Sequence, residues 1–314
     1  MNLLVALSKN TETEQKQRQG FLNKLKALNH SKRVSRSKLG TFGLVFFVLV
    51  FALFMAVPMV YMISNSFKPQ DELFLFPPRL FPSNPTFRNF RDMFNVMSNS
   101  NVPFVRYIFN SLFVTTVGSA GHIIISSMCA FVLAKKNFPG KKLIFNIIVF
   151  SLMFNSAVTA IPNFLVMSKL DWIDTYAALI VPAFGMSLGL YLMKQFMEQI
   201  PDSLLEAARI DGASQLRLFW NVVMPNVKSA WLTLLLLSVQ NLWPMGDNNF
   251  IYREELKTLN YALGQIQGSG TTVNIARAGV GAAVAVFMMI IPILIFIFSQ
   301  SNIIETMSSS GMKD

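Results

Sequence analysis

The sequence predicts an all-α membrane protein with about six spanning helices, and two observations support this fold class. Hydrophobic residues make up 53% of the 314-residue chain, and only 14% of the residues are charged, against roughly 25% in an average soluble domain. Several uncharged apolar runs are also long enough to cross about 30 Å of hydrocarbon. Because soluble proteins rarely repeat such runs, we expect a polytopic membrane protein.

The predicted spans are separated by polar connections of very different lengths. The segment from Ser64 to Pro103 is rich in proline, which resists continuous helix, so it predicts an exposed outer loop with short structured pieces. The fourth and fifth apolar runs are short for a perpendicular helix and could tilt or pack inside the bundle. The six runs are Thr41–Ile63, Phe104–Ala134, Leu143–Met167, Tyr176–Met193, Ala230–Met245 and Ala278–Ser299.

Residues 1–39 predict a retained cytoplasmic tail, followed by a transmembrane domain over residues 40–314. The tail is too long and too basic to be an ordinary cleaved signal peptide. Residues 22–28 interleave leucine with lysine, which fits either a surface helix on anionic lipid or a solvated tail. With the tail inside, Lys135, Lys136 and the basic segment from Lys194 to Lys228 also lie inside, which the positive-inside rule favours. The predicted outer loops carry basic residues too, namely Lys68, Arg79, Arg88, Arg91, Arg253 and Lys257. Both termini are therefore predicted to be cytoplasmic.

Several absences narrow the function. No charged residue lies in the central part of any predicted span, which argues against a carrier driven by protons or ions. No phosphate-binding G-x-x-x-x-G-K-[ST] loop is present, so energy for any active process would come from a partner. The single cysteine, Cys129, and the distant His30 and His122 predict neither a metal cluster nor a catalytic constellation. The net charge of +11 is better explained by membrane topology than by nucleic-acid binding.

The segment between the fourth and fifth spans predicts two short helices joined by a sharp turn. Pro201 and Asp202 begin the first helix, with Asp202 as the expected N-cap, and Gly212 ends it because glycine accepts a positive φ. An amphipathic stretch then runs to Met224 and Pro225. At helical spacing, one broad face of the first helix collects Leu204, Ala207, Ala208 and Asp211.

This segment, Glu206-Ala207-Ala208-Arg209-Ile210-Asp211-Gly212-Ala213 with the later Pro225, resembles the EAA loop of ABC importer permeases. The resemblance implies the type I importer permease fold, with a coupling loop at about 201–225. It also implies that Glu206, Ala207, Ala208 and Gly212 dock in a groove of a nucleotide-binding subunit. Arg209, Asp211 and Pro225 belong to the same coupling set.

Two further stretches, Ser66-Phe67-Lys68-Pro69 and Gly189–Met193, resemble the second, maltose-type permease of carbohydrate importers. This implies a bacterial inner-membrane protein working by alternating access with a second permease, two ATP-binding subunits and an extracellular solute-binding protein. No cofactor is expected on this chain itself, and ATP and Mg are expected on the ATPase. The stretch Gln240-Asn241-Leu242-Trp243-Pro244 departs from the Trp-Asn pattern of many relatives, which leaves the precise sugar open. The alternatives are an importer permease for a peptide or amino acid and, less favoured, a secondary transporter.

Three uncharged amides at predicted membrane depth, Asn155, Gln240 and Asn241, are candidates for the solute path. An unpaired amide is costly in hydrocarbon, so each either bonds between helices or faces a wet cavity. Trp243 lies close in sequence and would supply the aromatic face that a sugar path needs.

The outer loop from Gly246 to Arg277 is longer than a connection between antiparallel helices requires. Its glycines predict sharp backbone turns near a partner. Maltose-type permeases use a loop at this place to displace sugar, so we expect contact with the binding protein; the alternative is an ordinary surface loop. The expected contact residues are Gly264, Gln265, Gly268 and Gly270.

Overall fold

The structure is a computed structural model that describes residues 38–96, 102–154, 156–246, 250–268 and 272–310. Every regular element in these ranges is helical. Contacts divide the chain into two compact units, Met1–Met59 and Val60–Asp314, and the boundary lies inside the first helix. The predicted tail lies outside the described residues up to position 37, so its two interpretations stay open.

The first helix, α1 (Lys38–Phe67), is apolar throughout and contains Pro58. It extends four residues beyond the predicted Ile63, into a polar stretch. The Ser66 hydroxyl donates to the Ile63 carbonyl at 2.6 Å, a back-bond that serine makes without breaking a helix. The predicted outer loop then contains two short helices, α2 (Gln70–Leu73) and α3 (Arg88–Val96).

The central helix of the second unit is α4 (Phe104–Lys135). It packs mainly against three later helices, α7 (Tyr176–Phe184), α8 (Ser187–Glu198) and α12 (Lys228–Leu242). Close approach depends on glycine: a Cβ at Gly121 would lie 2.1 Å from the ring of Phe184. Small residues serve this purpose generally in membrane helix packing.

The predicted third span, Leu143–Met167, is not one helix. The chain forms α5 (Lys141–Ser151) and α6 (Ser156–Lys169), separated by a turn in which the Leu152 amide bonds the Val149 carbonyl at 3.1 Å. At 11 and 14 residues, neither helix reaches the roughly 20 residues that a span needs. Among the described residues, four helices are long and apolar enough to cross a membrane, or five if one bent pair counts as a single span.

That bent pair joins the second half of the predicted coupling segment, Gln215–Asn226, to the span after it, Lys228–Leu242. Helix α9 (Asp202–Ile210) is followed by α10 (Gln215–Leu218), a π-helical turn (Phe219–Val223) and α11 (Met224–Asn226). The chain then turns by 82° into α12.

The predicted loop before the last span also contains regular structure. It includes a 3₁₀ turn at Glu254–Leu256 and helix α13 (Leu259–Gly268), and the last helix, α14 (Thr272–Ser310), begins within it. A shared core joins α13 to α4, α12 and α14.

Candidate coupling and transport site

Helix α9 is anchored to the bundle by one face and open on the other. Leu205 is buried in an inner cluster that also contains Met193, Met197 and Leu218, and Ala208 packs against the same cluster. The remaining predicted coupling residues of the helix, Glu206, Ala207 and Arg209, are exposed. The predicted face is therefore divided, since Leu204, Ala207 and Asp211 are exposed and Ala208 is half-buried.

Gly212 ends α9 with the geometry of a Schellman motif. Its φ is +79°, in the left-handed region that favours glycine. The Ala213 amide bonds the Ala208 carbonyl at 3.0 Å, and the Gly212 amide bonds the Arg209 carbonyl at 3.0 Å. Both bonds satisfy carbonyls that the helix end would otherwise leave free. The predicted helix end at Gly212 is confirmed.

Asp202 is not the N-cap of α9, contrary to the sequence prediction. It is the first helical residue, and Pro201 occupies the cap position without a side-chain bond. The carboxylate instead forms an ion pair with the Lys135 ammonium at the end of α4, with 2.8 Å between Nζ and Oδ1. This hydrogen bond and the charge of Lys135 hold the pKa of Asp202 below its usual value.

Lys135 fastens the start of α9 to the central helix. Its side chain is only 6% exposed, and its ammonium also donates to the backbone carbonyls of Ile200 and Glu198. From the sequence, Lys135 was predicted only to lie on the cytoplasmic side of the membrane. A lysine directly after an apolar run was the only sequence feature that pointed to this role. Lys136 shares that feature, but no bond from its side chain to α9 is seen among the described residues.

The turn from α10 into α12 is built from local bonds. The Ser214 hydroxyl caps α10 by accepting from the Arg217 amide at 3.3 Å. Pro225 is exposed in α11 and has no N–H to continue a regular ladder. The side-chain amide of Asn226 donates to the Val222 carbonyl at 2.7 Å, which satisfies an acceptor beside the π-helical turn.

Two of the predicted solute-path residues are exposed at the far end of α12. Gln240 and Asn241 are both exposed, and the Asn241 amide donates to the Leu237 carbonyl of its own helix at 2.8 Å. Gln240 also borders a shallow depression of about 250 Å³ that Pro292 and Phe296 help to line. Asn155, the third predicted amide, lies outside the described residues.

Trp243 lies in the core and does not line a path in this structure. Its side chain is 2% exposed, and its indole N–H donates to the Met288 carbonyl of α14 at 2.7 Å. The ring therefore joins α12 to α14 and is not available to a solute in this conformation.

Within residues 250–268, the outer segment does not show the sharp glycine turn that the sequence predicted. Gly264 and Gln265 are exposed but lie within α13, and Gly268 is the last residue of that helix. The glycines before position 269 therefore do not provide a flexible turn, because the pattern Leu259, Ala262 and Ile266 buries one face of a helix against α4 and α14. Gly270 lies outside the described residues, and contact with a binding protein stays a prediction.

Asn110, which the sequence analysis missed, holds this outer segment on the central helix. Its side-chain amide donates to the carbonyls of Glu255 and Lys257 at 2.8 Å each, and its oxygen accepts from the Tyr176 hydroxyl at 2.7 Å. A buried amide inside an apolar run was the signal, since such a group needs partners.

His122 lies in the packed interior and bonds to neighbouring helices. It is buried, with Nδ1 2.6 Å from the Ser238 hydroxyl of α12 and Nε2 3.3 Å from the Met186 carbonyl between α7 and α8. A Cβ at Gly189 would lie 2.2 Å from Nε2. His122 thus packs where three helices meet.

The chain is similar in sequence to a known family of transport proteins. Residues 122–247 match the family described as "Binding-protein-dependent transport system inner membrane component". The "Putative ABC transporter permease protein ORF2" of Caldicellulosiruptor sp. (strain Rt8B.4) is 30% identical over 279 residues, which cover 85% of this chain and 95% of that protein.

A second relative and a solved structure agree with this assignment. The "Polygalacturonan/rhamnogalacturonan transport system permease protein YtcP" of Bacillus subtilis (strain 168) is 31% identical over 63% of this chain and 66% of its own length. Other curated relatives are matched over 61% to 64% of their length. A chain of a bacterial ABC transporter "involved in the import of the acidic polysaccharide alginate" superposes with a TM-score of 0.71 at 26% identity, covering 85% of this chain and 98% of that chain.

Because the ORF2 alignment spans nearly the whole of that permease and the fold agrees, the chain belongs to the binding-protein-dependent inner membrane components, the permease subunits of ABC transporters.

Proposed function

We propose that this chain is the permease subunit of an ATP-driven importer that moves a carbohydrate or oligosaccharide across the bacterial inner membrane by alternating access. The geometry of α9 is the main observation that supports this proposal. Its exposed face presents Glu206, Ala207 and Arg209, and its buried face is joined through the inner cluster to α12. A movement imposed on the exposed face is thereby passed to the helix that bears Gln240 and Asn241.

The exposed side of this region has the character of a docking surface. Ile210 is 86% exposed and Leu216 is 63% exposed, although both are large apolar residues. Exposed apolar groups beside charged Glu206 and Arg209 are typical of protein interfaces. We assign this surface to a separate ATP-binding subunit, which would bind the ATP and Mg; Asp211, Gly212 and Pro225 would keep the docking helix and the following turn in shape.

The solute class rests on chemistry and on similarity together. The relative YtcP is named for polygalacturonan and rhamnogalacturonan transport, and the structural neighbour is described as importing alginate. The exposed amides of Gln240 and Asn241 can donate to and accept from hydroxyl groups, as a sugar requires. A second permease, two copies of the ATPase and an extracellular binding protein complete the proposed assembly.

The proposed orientation puts α9 in the cytoplasm, because ATP is there. Lys135 bonds to α9, so the C-terminal end of α4 and the neighbouring Lys136 and Lys141 lie on the same side. Asn110 and the segment that it holds then lie outside, where the binding protein would arrive. We propose that the N- and C-termini are cytoplasmic as well, which requires an even number of crossings.

Co-purification and transport together test the proposal. The chain is purified from its native host, its partners are identified by mass spectrometry, and the complex is reconstituted in liposomes with its binding protein. We expect an ATPase, a second permease and ATP-dependent uptake of labelled oligosaccharides. Uptake of amino acids or peptides with no sugar uptake would overturn the solute class, and uptake without an ATPase would overturn the mechanism.

A further inference from the structure

The segment that follows α1 folds back onto the end of that helix. The Thr86 amide bonds the Phe67 carbonyl at 2.8 Å, and the buried Asn89 amide donates to the carbonyls of Ser66 and Lys68 at 2.9 and 2.8 Å. The stretch between these contacts is therefore a closed loop. We call residues 74–81, its most exposed part, the apolar turn.

Two bonds fix how deep the apolar turn lies relative to α1. The Ser64 hydroxyl donates to the Leu80 carbonyl, and the Lys68 ammonium donates to the Arg79 carbonyl at 2.5 Å. Ser64 lies three residues before the end of α1, which is about 5 Å along a helix axis. Leu80 is thus level with the last turn of a helix that is apolar enough to span the bilayer.

At this depth the apolar turn exposes large hydrophobic side chains. Phe76 is 94% exposed, Phe81 is 68% exposed and Leu80 is 53% exposed, and Phe74 is exposed as well. Moving side chains of this kind from water to the boundary of the hydrocarbon is favourable, by about 25 cal/mol per Å² of apolar area. They continue the apolar surface of the span to which the loop is bonded.

Part of the loop's backbone is already hydrogen-bonded or lacks a donor. The buried Glu72 carboxylate accepts from the amides of Ser83 and Asn84 at 2.8 and 3.0 Å. Within the apolar turn, Pro77 and Pro78 have no N–H to satisfy, and the carbonyls of Leu80 and Arg79 accept from Ser64 and Lys68. These features lower the cost of placing the apolar turn at the boundary of the hydrocarbon, because fewer polar groups would lose water there.

We propose that the apolar turn inserts into the outer leaflet of the membrane, where Phe76, Leu80 and Phe81 contact acyl chains. The exposed Arg79, whose guanidinium donates to the Ser83 hydroxyl at 2.6 Å, lies beside them at the level of the lipid phosphates. The loop thereby anchors the outer end of α1 laterally. This inference needs only that α1 spans a membrane and does not depend on which solute is carried.

Spin labels test the depth directly in the assembled transporter. In a Cys129→Ser background, which removes the single cysteine, labels are attached to F76C, L80C, F81C and, as a control, D71C. The exposed Asp71 lies on α2 outside the apolar turn. Each variant is kept in its full complex in lipid nanodiscs, and only variants with normal ATP-dependent uptake are measured.

Collisions with oxygen, which partitions into lipid, are compared with collisions with a water-soluble nickel chelate. We expect labels at 76, 80 and 81 to collide with oxygen and to lose collisions with the chelate, and D71C to show the opposite. Chelate access at all three positions would overturn the proposal by showing that the turn faces water. Low collision rates with both reagents would also overturn the proposal, because they would show that protein covers the turn.

Discussion

Replacing Gly212 with valine should uncouple transport from ATP hydrolysis without preventing assembly. Gly212 has a φ of +79°, and a Cβ placed there would meet nothing within 4 Å. The cost of a side chain at this position is therefore a backbone cost and not a clash. It falls on the turn that ends α9, where the predicted docking surface begins.

The size of the effect follows from the local geometry. A left-handed conformation costs a non-glycine residue about 1–2 kcal/mol, and β-branching adds to this because it stiffens the side chain against the backbone. If the turn opens instead, the two Schellman bonds from Gly212 and Ala213 are lost, at about 0.5–1.5 kcal/mol each. The first route shifts the local equilibrium by roughly 5- to 30-fold and the second by roughly 5- to 160-fold, which is enough to disorder the end of α9 without unfolding the bundle.

Gly140 provides a matched control elsewhere in the chain. It has a φ of +84° and equally open surroundings, but it precedes α5 and not the coupling turn. A Gly140→Val variant has the same backbone strain. Gly212→Asn should behave almost as the natural chain, because asparagine tolerates the left-handed region.

The assay measures solute transported per ATP hydrolysed in reconstituted complexes, together with recovery of the complex by affinity purification. We expect Gly212→Val to lower this ratio, and Gly140→Val and Gly212→Asn to leave it close to the natural value. The reasoning is refuted if Gly212→Val couples normally, or if Gly140→Val loses coupling to the same extent.

Three further predictions address other parts of the site. Glu206→Arg, which reverses a charge on the exposed face of α9, should lower ATP-driven uptake while the bundle keeps its thermal stability; normal uptake in an assembled complex would contradict the docking role. Asn241→Ala should reduce uptake with assembly intact, whereas loss of assembly alone would indicate a role in helix packing. Gly189→Ala should destabilise the purified chain by about 1–3 kcal/mol, because the added Cβ would lie 2.2 Å from Nε2 of His122; an unchanged midpoint of thermal unfolding would show that the ring can move aside.

Long apolar runs allowed the spanning helices to be predicted because hydrophobicity alone decides them. The runs beginning at Thr41, Phe104 and Ala278 each correspond to a single helix. The prediction of one span from Leu143 to Met167 fails because the described residues at the break, Leu152, Met153 and Phe154, are themselves apolar, so composition does not mark it. Such a break depends on tertiary packing, which periodicity does not report.

The coupling turn was predictable because its signals are local. A left-handed glycine and a short helix after a proline are properties of a few neighbouring residues, and both are present at Pro201 and Gly212. The partners of Asp202 and Trp243 were not predictable, since Lys135 and Met288 are distant in sequence. Their bonds exist only after the bundle has formed.

Two hydrophobic clusters of the second unit connect the short helix α9 with the opposite end of α12. Helix α12 contributes Leu234 to the inner cluster and Val239 to a second cluster, which also contains Leu259 and Trp243, the residue just after α12. Helix α4 contributes to both clusters. A helix of 15 residues is about 22 Å long, so α12 and α4 act as levers between two packed ends. The Lys135 attachment fixes α9 to one lever, while the inner cluster fixes it to the other. We therefore expect a displacement of α9 to move both helices, and the amides at the far end of α12 to move with them.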